Sequence, residues 1–387
     1  LTAADTAGTY LPAGAVRDGG WLLWTRAGTL QAQRLDLASR ALTGDPVPLA
    51  DAVAYDQTIF RSAVTVSATG LVAYRGGSAS RRQLTWVDPT GKVLGTLGAP
   101  DEDGLLNPRL APDGRRVAVQ RTVQGNTDLW LLDGARTSRV TFDAGVDRFP
   151  IWSPDGRQLV FDSGRTGVRD LYVKDASGAG VEARLVASAQ PKVATDWSAD
   201  GRFLLYASSD PQTGWDIWAQ EMDPLTGAAR AGRAPGIVLR TPFTERWGRF
   251  SPDGRWVAYQ SNESGRPEIY VRPWTLPTAG AAAPAPSAQW QVSTAGGVTP
   301  VWRADGQVLY YLGPDGAMMA APVTVRSAAL EPGTPVALFP TRIVGGNVDG
   351  NQGQQYDVTR DGRFLINTLL DAAAATPITL IMNWRPK

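Results

Sequence analysis

Any chemistry in this chain of 387 residues has to be done without histidine and without cysteine. Their absence removes Ser-His-Asp catalysis, imidazole bases, thiolate nucleophiles, disulfides and every nitrogen or sulfur metal ligand. No Gly-x-Ser-x-Gly elbow and no Gly-x-x-x-x-Gly-Lys phosphate loop is present. What remains is oxygen chemistry: paired carboxylates, as in glycosidases and lyases, or a Ca2+ or Mg2+ site made of Asp and Glu. Most of the acids, however, stand at fixed places in a repeat, as acids that satisfy backbone donors at turns do. The sequence thus reads as a non-enzyme without a cofactor, with carboxylate-held Ca2+ or Mg2+ as the alternative.

The polar residues that do not repeat are the candidates for binding. They are Asn107, Arg109, Asp147, Arg148, Lys192, Asp196, Glu245, Arg246 and Thr299, with Gln354 and Gln355. Their mixed signs suit a protein or peptide partner better than a polyanion. A net charge of +1 without a basic stripe or acidic tail gives no footprint for nucleic acid. No apolar run approaches the roughly 18 residues of a membrane span, so no membrane insertion by this chain is expected. Lacking an initiator Met, the chain is expected to be a processed product or part of something longer.

These candidates must be held by a repeated element. Ala111-Pro112-Asp113-Gly114-Arg115 returns as Ser153-Pro154-Asp155-Gly156-Arg157, Ser198-Ala199-Asp200-Gly201-Arg202, Ser251-Pro252-Asp253-Gly254-Arg255, Arg303-Ala304-Asp305-Gly306-Gln307 and Thr359-Arg360-Asp361-Gly362-Arg363. The glycines are 42, 45, 53, 52 and 56 residues apart, the length of one four-stranded unit with variable loops. Pro presets the first corner, Asp bonds back to the backbone, and Gly takes the positive φ that closes the hairpin. An apolar strand follows each turn, and a second strand then opens with an acid: Asp128, Asp170, Asp216 or Glu268.

The fold class expected is all-β, a closed β-propeller of four-stranded antiparallel blades. Eight blades are counted, with seven as the alternative, at about 8–52, 58–100, 105–143, 147–188, 192–241, 245–294, 298–340 and 353–387 plus 1–6. One domain then fills the chain, and Leu1-Thr2-Ala3 supplies the strand that closes the ring and removes its open edges. The Ala- and Pro-rich stretch 276–288, the segment 226–236 and the Gly-, Asn- and Gln-rich stretch 344–355 read as mobile loop insertions. Among the 14 tryptophans, Trp130, Trp152, Trp197, Trp218 and Trp302 fall at matching strand positions and are expected between blades. Trp215, Trp247 and Trp274 lie near connections and are expected to be more exposed. Binding is expected on the face opposite the Pro-Asp-Gly hairpins, around the channel mouth.

The repeated turn, apolar strand and Asp-Ile/Leu-Trp/Tyr start resemble the TolB-type, WD-repeat-like propeller repeats of bacteria over nearly the whole chain. Gly28-Thr29-Leu30 with 42–48, Leu84-Thr85-Trp86-Val87-Asp88, 261–266 through Tyr270-Val271-Arg272-Pro273, 291–297 and Asn383-Trp384 also resemble the C-terminal propeller of membrane-anchored bacterial serine/threonine kinases. The resemblance implies a non-catalytic sensor, scaffold or interaction module outside the cytoplasm, tethered to a membrane-anchored protein or assembly. The second reading is a TolB-like periplasmic subunit of an envelope assembly, and the third a carboxylate-dependent glycosidase or lyase. The kinase lobe itself, with its Gly-rich loop and His-Arg-Asp segment, is absent from these residues.

Overall fold

The computed structural model describes residues 6–12, 19–26, 28–56, 61–76, 81–102, 104–275, 288–326, 329–343, 353–370, 377–382 and 384. Every regular element among them is a β-strand. The chain divides into two compact units, one built from 1–82, 100–104 and 369–387, the other from 83–99 and 105–368.

The turn chemistry of the larger unit is that of the repeat. In the second copy Gly156 N donates to Ser153 O at 2.9 Å, and Asp155 accepts from Arg157 N at 3.0 Å. Gly156 takes φ +69°, where a side chain would be strained. Equivalent bonds recur at Asp113, Asp200, Asp253 and Asp305. Each hairpin joins an innermost strand to the next, and the sheets that result are four-stranded antiparallel blades.

Blade 1 comprises Leu106–Leu110, Arg116–Val123, Asn126–Asp133 and Arg136–Arg139. Blade 2 comprises Asp147–Trp152, Gln158–Ser163, Asp170–Asp175 and Ala183–Val186. Blade 3 comprises Lys192–Trp197, Phe203–Asp210, Gly214–Glu221 and Gly236–Leu239. Blade 4 comprises Glu245–Phe250, Trp256–Ser261, Glu268–Pro273 and Trp290–Gln291. Blade 5 comprises Val298–Trp302, Val308–Leu312 and Ala317–Arg326, the last pairing with both Ala329–Pro332 and Val336–Pro340. Blade 6 is composite: Tyr356–Val358 and Phe364–Leu369 from the end of the chain continue into Arg82–Val87 and Val93–Asp101 from its start.

Buried apolar clusters join each blade to the next and complete a circuit. Leu131 shares a cluster with Phe161, Val173 with Leu204, and Ile217 with Val257 at the first three seams. Val271 shares one with Ala321, Met318 with Phe364, and Leu365 with Val117 at the rest. The last seam is pinned by Asn367 Nδ2 donating to Leu105 O at 2.9 Å and by Leu110 N donating to Asp357 at 2.8 Å.

The all-β propeller class therefore holds, but the strand pairing gives a ring of six blades in place of eight or seven. Segments 58–100 and 353–387 had been counted as separate blades, whereas each contributes two strands to one sheet. Closure comes from Arg82–Val87 and Val93–Asp101; Leu1-Thr2-Ala3 lies outside the described residues, as do most of the 276–288 and 344–355 insertions.

The smaller unit has its own core of Leu11, Leu23, Leu30, Ala32, Val53 and Val72. It contains one four-stranded sheet, Thr9–Pro12, Gly19–Arg26, Thr29–Asp36 and Ala41–Ala50. A second sheet places Val72–Arg75 between Val64–Val66 and Ile378–Ile381, so the strand near the chain end serves this unit.

Candidate functional site: the channel floor

The innermost strands of blades 1 to 5 break register at the same point, between Leu106 and Arg109, Arg148 and Ile151, Ala194 and Asp196, Arg246 and Arg249, and Val298 and Val301. A bulge at this point re-aims the residues that follow it. Inside these bulges Asn107, Phe149, Trp247 and Thr299 take positive φ of 53, 54, 55 and 53°. Three of them precede a proline, whose missing N–H is harmless where the ladder is already broken. Two residues before the first residue of each hairpin turn stand Arg109, Ile151, Asp196, Arg249, Val301 and Asp357, one per blade. Around the ring this reads Arg, apolar, Asp, Arg, apolar, Asp.

All six line one cavity of about 380 Å³. Its walls include Trp152, Trp197, Trp302, Pro112, Pro154 and Pro252, and Ala199 and Arg360 stand in the turns at its mouth. The cavity thus opens on the hairpin face, whereas the sequence-based expectation sets binding on the opposite one. The inner strand ends and their turns converge there, bringing cationic, anionic and apolar side chains around one lumen.

The electrostatics follow from burial. Arg249 Nη1 lies 3.3 Å from Asp196 Oδ1, and Asp196 Oδ2 accepts Phe250 N at 2.8 Å. Burial still pushes the Asp196 carboxyl up to about 7, against the pull of Phe250 N and Arg109. Burial likewise raises Asp357, opposed by Arg109 and by Leu110 N. Arg109 is almost fully buried, which lowers its guanidinium from the usual range despite Asp357 and Asp196. Arg109 and Arg249 both donate to Gln354 Oε1. The gallery of tryptophans is fixed by the backbone: Trp152 Nε1 donates to Arg109 O at 2.9 Å, Trp197 Nε1 to Gly201 O at 3.0 Å and Trp302 Nε1 to Arg249 O at 3.3 Å.

Of the nine residues expected from sequence, the structure brings Arg109 and Asp196 into this cavity. Asn107 is buried, donating to Gln120 Oε1 at 2.9 Å and accepting from Gln355 at 3.5 Å. Thr299 is buried as well, and its carbonyl accepts Tyr356 Oη at 2.8 Å. Asp147 pairs with Arg165 at 3.1 Å. Lys192 is buried with Asp170 at 2.6 Å and caps the Gln190 carbonyl at 2.8 Å. Glu245 accepts from Thr241 at 2.6 Å and Ser261 at 3.3 Å, while its Oε2 has no partner among the described residues. Burial first, then the nearby Asp216 charge, push Glu245 up to about 7 against those two hydroxyls. Asp147 is thus engaged within blade 2, Glu245 by blade 4 and the connection before it, and Lys192 across the seam between blades 2 and 3.

Arg148 approaches Asp162 at 3.5 Å, and Arg246 lies over the Trp215 ring at 4.4 Å. Beside them Phe149, Val193 and Trp247 form a small apolar cluster against Trp215. Trp247 is therefore buried, contrary to its expected exposure, with its ring 5.6 Å from Phe149. Trp274 packs edge-on against Phe203 and Phe250 at 5.3 and 4.9 Å. Among the described residues no group of three or more acids is gathered as a metal site.

Arg249, Asp357 and the tryptophan walls were missed as site residues. The signal was available: counting back two positions from every turn aligns Arg109, Ile151, Asp196, Arg249, Val301 and Asp357.

A family model described as the TolB β-propeller domain matches residues 101–228. The solved structure of putative TolB from Agrobacterium tumefaciens is similar with a TM-score of 0.56 at 17% identity, covering 76% of this chain and 100% of that one. The larger unit is a TolB-like β-propeller. In sequence, the propeller is similar to Tol-Pal system protein TolB of Alcanivorax borkumensis, 31% identical over 99 residues, covering 25% of this chain and 23% of that protein. It is also similar to uncharacterized peptidase YuxL of Bacillus subtilis, 34% identical over 195 residues, covering 41% of this chain and 29% of that protein. The chain thus spans less than a third of the length of either relative. The second likeness overturns the expectation that this is not an enzyme, because that relative is named as a peptidase. Among the described residues no helix is long and apolar enough to cross a membrane.

Proposed function

We propose that this TolB-like propeller captures a segment of a protein chain in the channel mouth on its hairpin face. The observation that carries the reading is the ring of Arg109, Asp196, Arg249 and Asp357 at the floor of a cavity of about 380 Å³ with tryptophan and proline walls. A peptide offers both donors and acceptors along its backbone, which suits alternating Arg and Asp, and apolar side chains, which suit the walls. Naming of the relatives, one a Tol-Pal system protein and one a peptidase, supports a protein or peptide as the partner. The same reading sets the propeller outside the cytoplasm, in an envelope assembly or beside a peptidase. Without histidine or cysteine, a Ser-His-Asp or Cys-His centre acting on that peptide would come from beyond these 387 residues.

The reading is tested by selecting random linear peptides from a displayed library on the intact chain and on an Ala199→Trp variant. Ala199 is an exposed turn residue at the cavity mouth, so the larger ring fills the lumen without entering the core. Peptides enriched on the parent should lose binding to the variant. Equal enrichment on both would place binding elsewhere on the propeller.

A further inference from the structure

We propose that the channel floor is a seat for one carboxylate, held between Arg109 and Arg249, with Gln354 Oε1 standing where the carboxylate oxygen binds. The inference rests on the peptide-capture reading and names the group by which the peptide is anchored.

Arg109 belongs to blade 1 and Arg249 to blade 4, on opposite sides of a six-bladed ring. Arg249 reaches across the channel, and Arg109 from the blade next to blade 6, to one neutral acceptor, Gln354 Oε1. The orientation of that amide is set by its other end, where Nε2 donates to Tyr356 O at 2.7 Å. Two guanidinium groups converging on a single amide oxygen are poorly matched, since a carboxylate in the same place makes charge-assisted bonds about twice as strong. Arg109 Nε, on a side chain only 5% exposed, has no hydrogen-bond partner among the described residues.

The acids of the floor do not fill this role. Asp357 Oδ2 is engaged by Leu110 N and Asp196 Oδ2 by Phe250 N, each at 2.8 Å. Asp196 Oδ1 reaches Arg249 at 3.3 Å and leaves the convergence point to Gln354. Both arginines line the cavity of about 380 Å³, which accommodates a few residues of chain between Trp152 and Trp302, while Gln354 is buried behind them. A chain entering end-on presents its terminal carboxylate; a chain entering as a loop presents an Asp or Glu side chain.

Calorimetric titration with four probes separates these sources: acetyl-Ala-Ala-Ala as the free acid, the same peptide amidated, amidated acetyl-Ala-Asp-Ala, and acetate. The free acid or the Asp peptide should bind at least about ten-fold tighter than the neutral amide. Gln354→Glu supplies a resident carboxylate to both arginines, so it should raise the melting temperature and cut binding of the charged peptide by about ten-fold or more. Gln354→Ala should keep the preference for the charged probe. Equal binding of acid, Asp and neutral peptides, all lost in Ala199→Trp, would overturn the carboxylate seat and leave peptide capture standing. Binding of acetate alone would overturn the seat as a peptide anchor, showing an anion site that holds no chain. Absence of binding by every probe at millimolar concentration would overturn both readings.

Discussion

Replacing Glu245 with glutamine should flatten the pH dependence of the larger unit's stability, and the carboxylate's surroundings set the size of the effect. Glu245 is 1% exposed, one of its oxygens has no partner among the described residues, and burial raises its carboxyl from 4.5 to about 7. Between those values the unfolded chain has released the proton while the native protein retains it. The native state binds more protons there, so its stability falls as pH rises. Each tenfold gain in the carboxylate's proton affinity on folding is worth about 1.4 kcal/mol, so the loss across the window is about 3 kcal/mol. Glutamine cannot ionise and escapes this loss. Its amide meets the same unpartnered surroundings, which changes the offset between the proteins but not the slope. Urea unfolding of parent and Glu245→Gln, followed in steps from about pH 4.5 to about pH 7.5, reads the difference directly. The variant should gain about 3 kcal/mol relative to the parent across the series. Parallel stability curves would refute the assignment of Glu245 as a buried, proton-holding acid.

Three further outcomes follow from the same packing. Lys192→Met leaves Asp170 as a buried charge short of a partner and should cost about 3–5 kcal/mol, whereas Arg184→Ala, which removes a half-exposed partner of the same acid, should cost about 1 kcal/mol or less in denaturant titration. Trp152→Phe keeps the aromatic wall but removes the donor to Arg109 O, and should lower stability by about 1–3 kcal/mol on thermal unfolding. Asn367→Leu removes two buried bonds, one across the closing seam to Leu105 O and one within blade 6 to Gln355 Oε1, and should cost about 2–4 kcal/mol; an effect within about 0.5 kcal/mol would contradict the closure described for blade 6.

The fold was legible wherever local chemistry repeats. Pro-Asp-Gly turns, apolar strands and strand-opening acids are short-range signals, and blades 1 to 5 are written in them. Ring closure was not legible, because pairing Arg82–Val87 with Phe364–Leu369 joins segments far apart in the chain and leaves no local mark. The site divided in the same way. Arg109 and Asp196 stood out as departures from the repeat, but so did Lys192, which bonds Asp170 of the preceding blade, and Glu245, which is held by the connection before its own strand. Sequence shows that a position is unlike its counterparts, while only the bulge in the inner strand decides whether it faces the lumen. The hairpin face was discounted because its turns are uniform, yet the residues just before those turns vary and meet at the channel floor.

Site-specific photo-crosslinking in cells reads out the face on which the partner is held. A photoreactive amino acid at Arg360, in a turn at the cavity mouth, is compared with one at Gln212, in the connection between the second and third strands of blade 3 and so on the opposite face. Peptide capture at the channel floor predicts adducts from position 360 that disappear when Ala199→Trp is added, and none from position 212. Adducts from position 212 alone, or adducts from position 360 that survive Ala199→Trp, would contradict it.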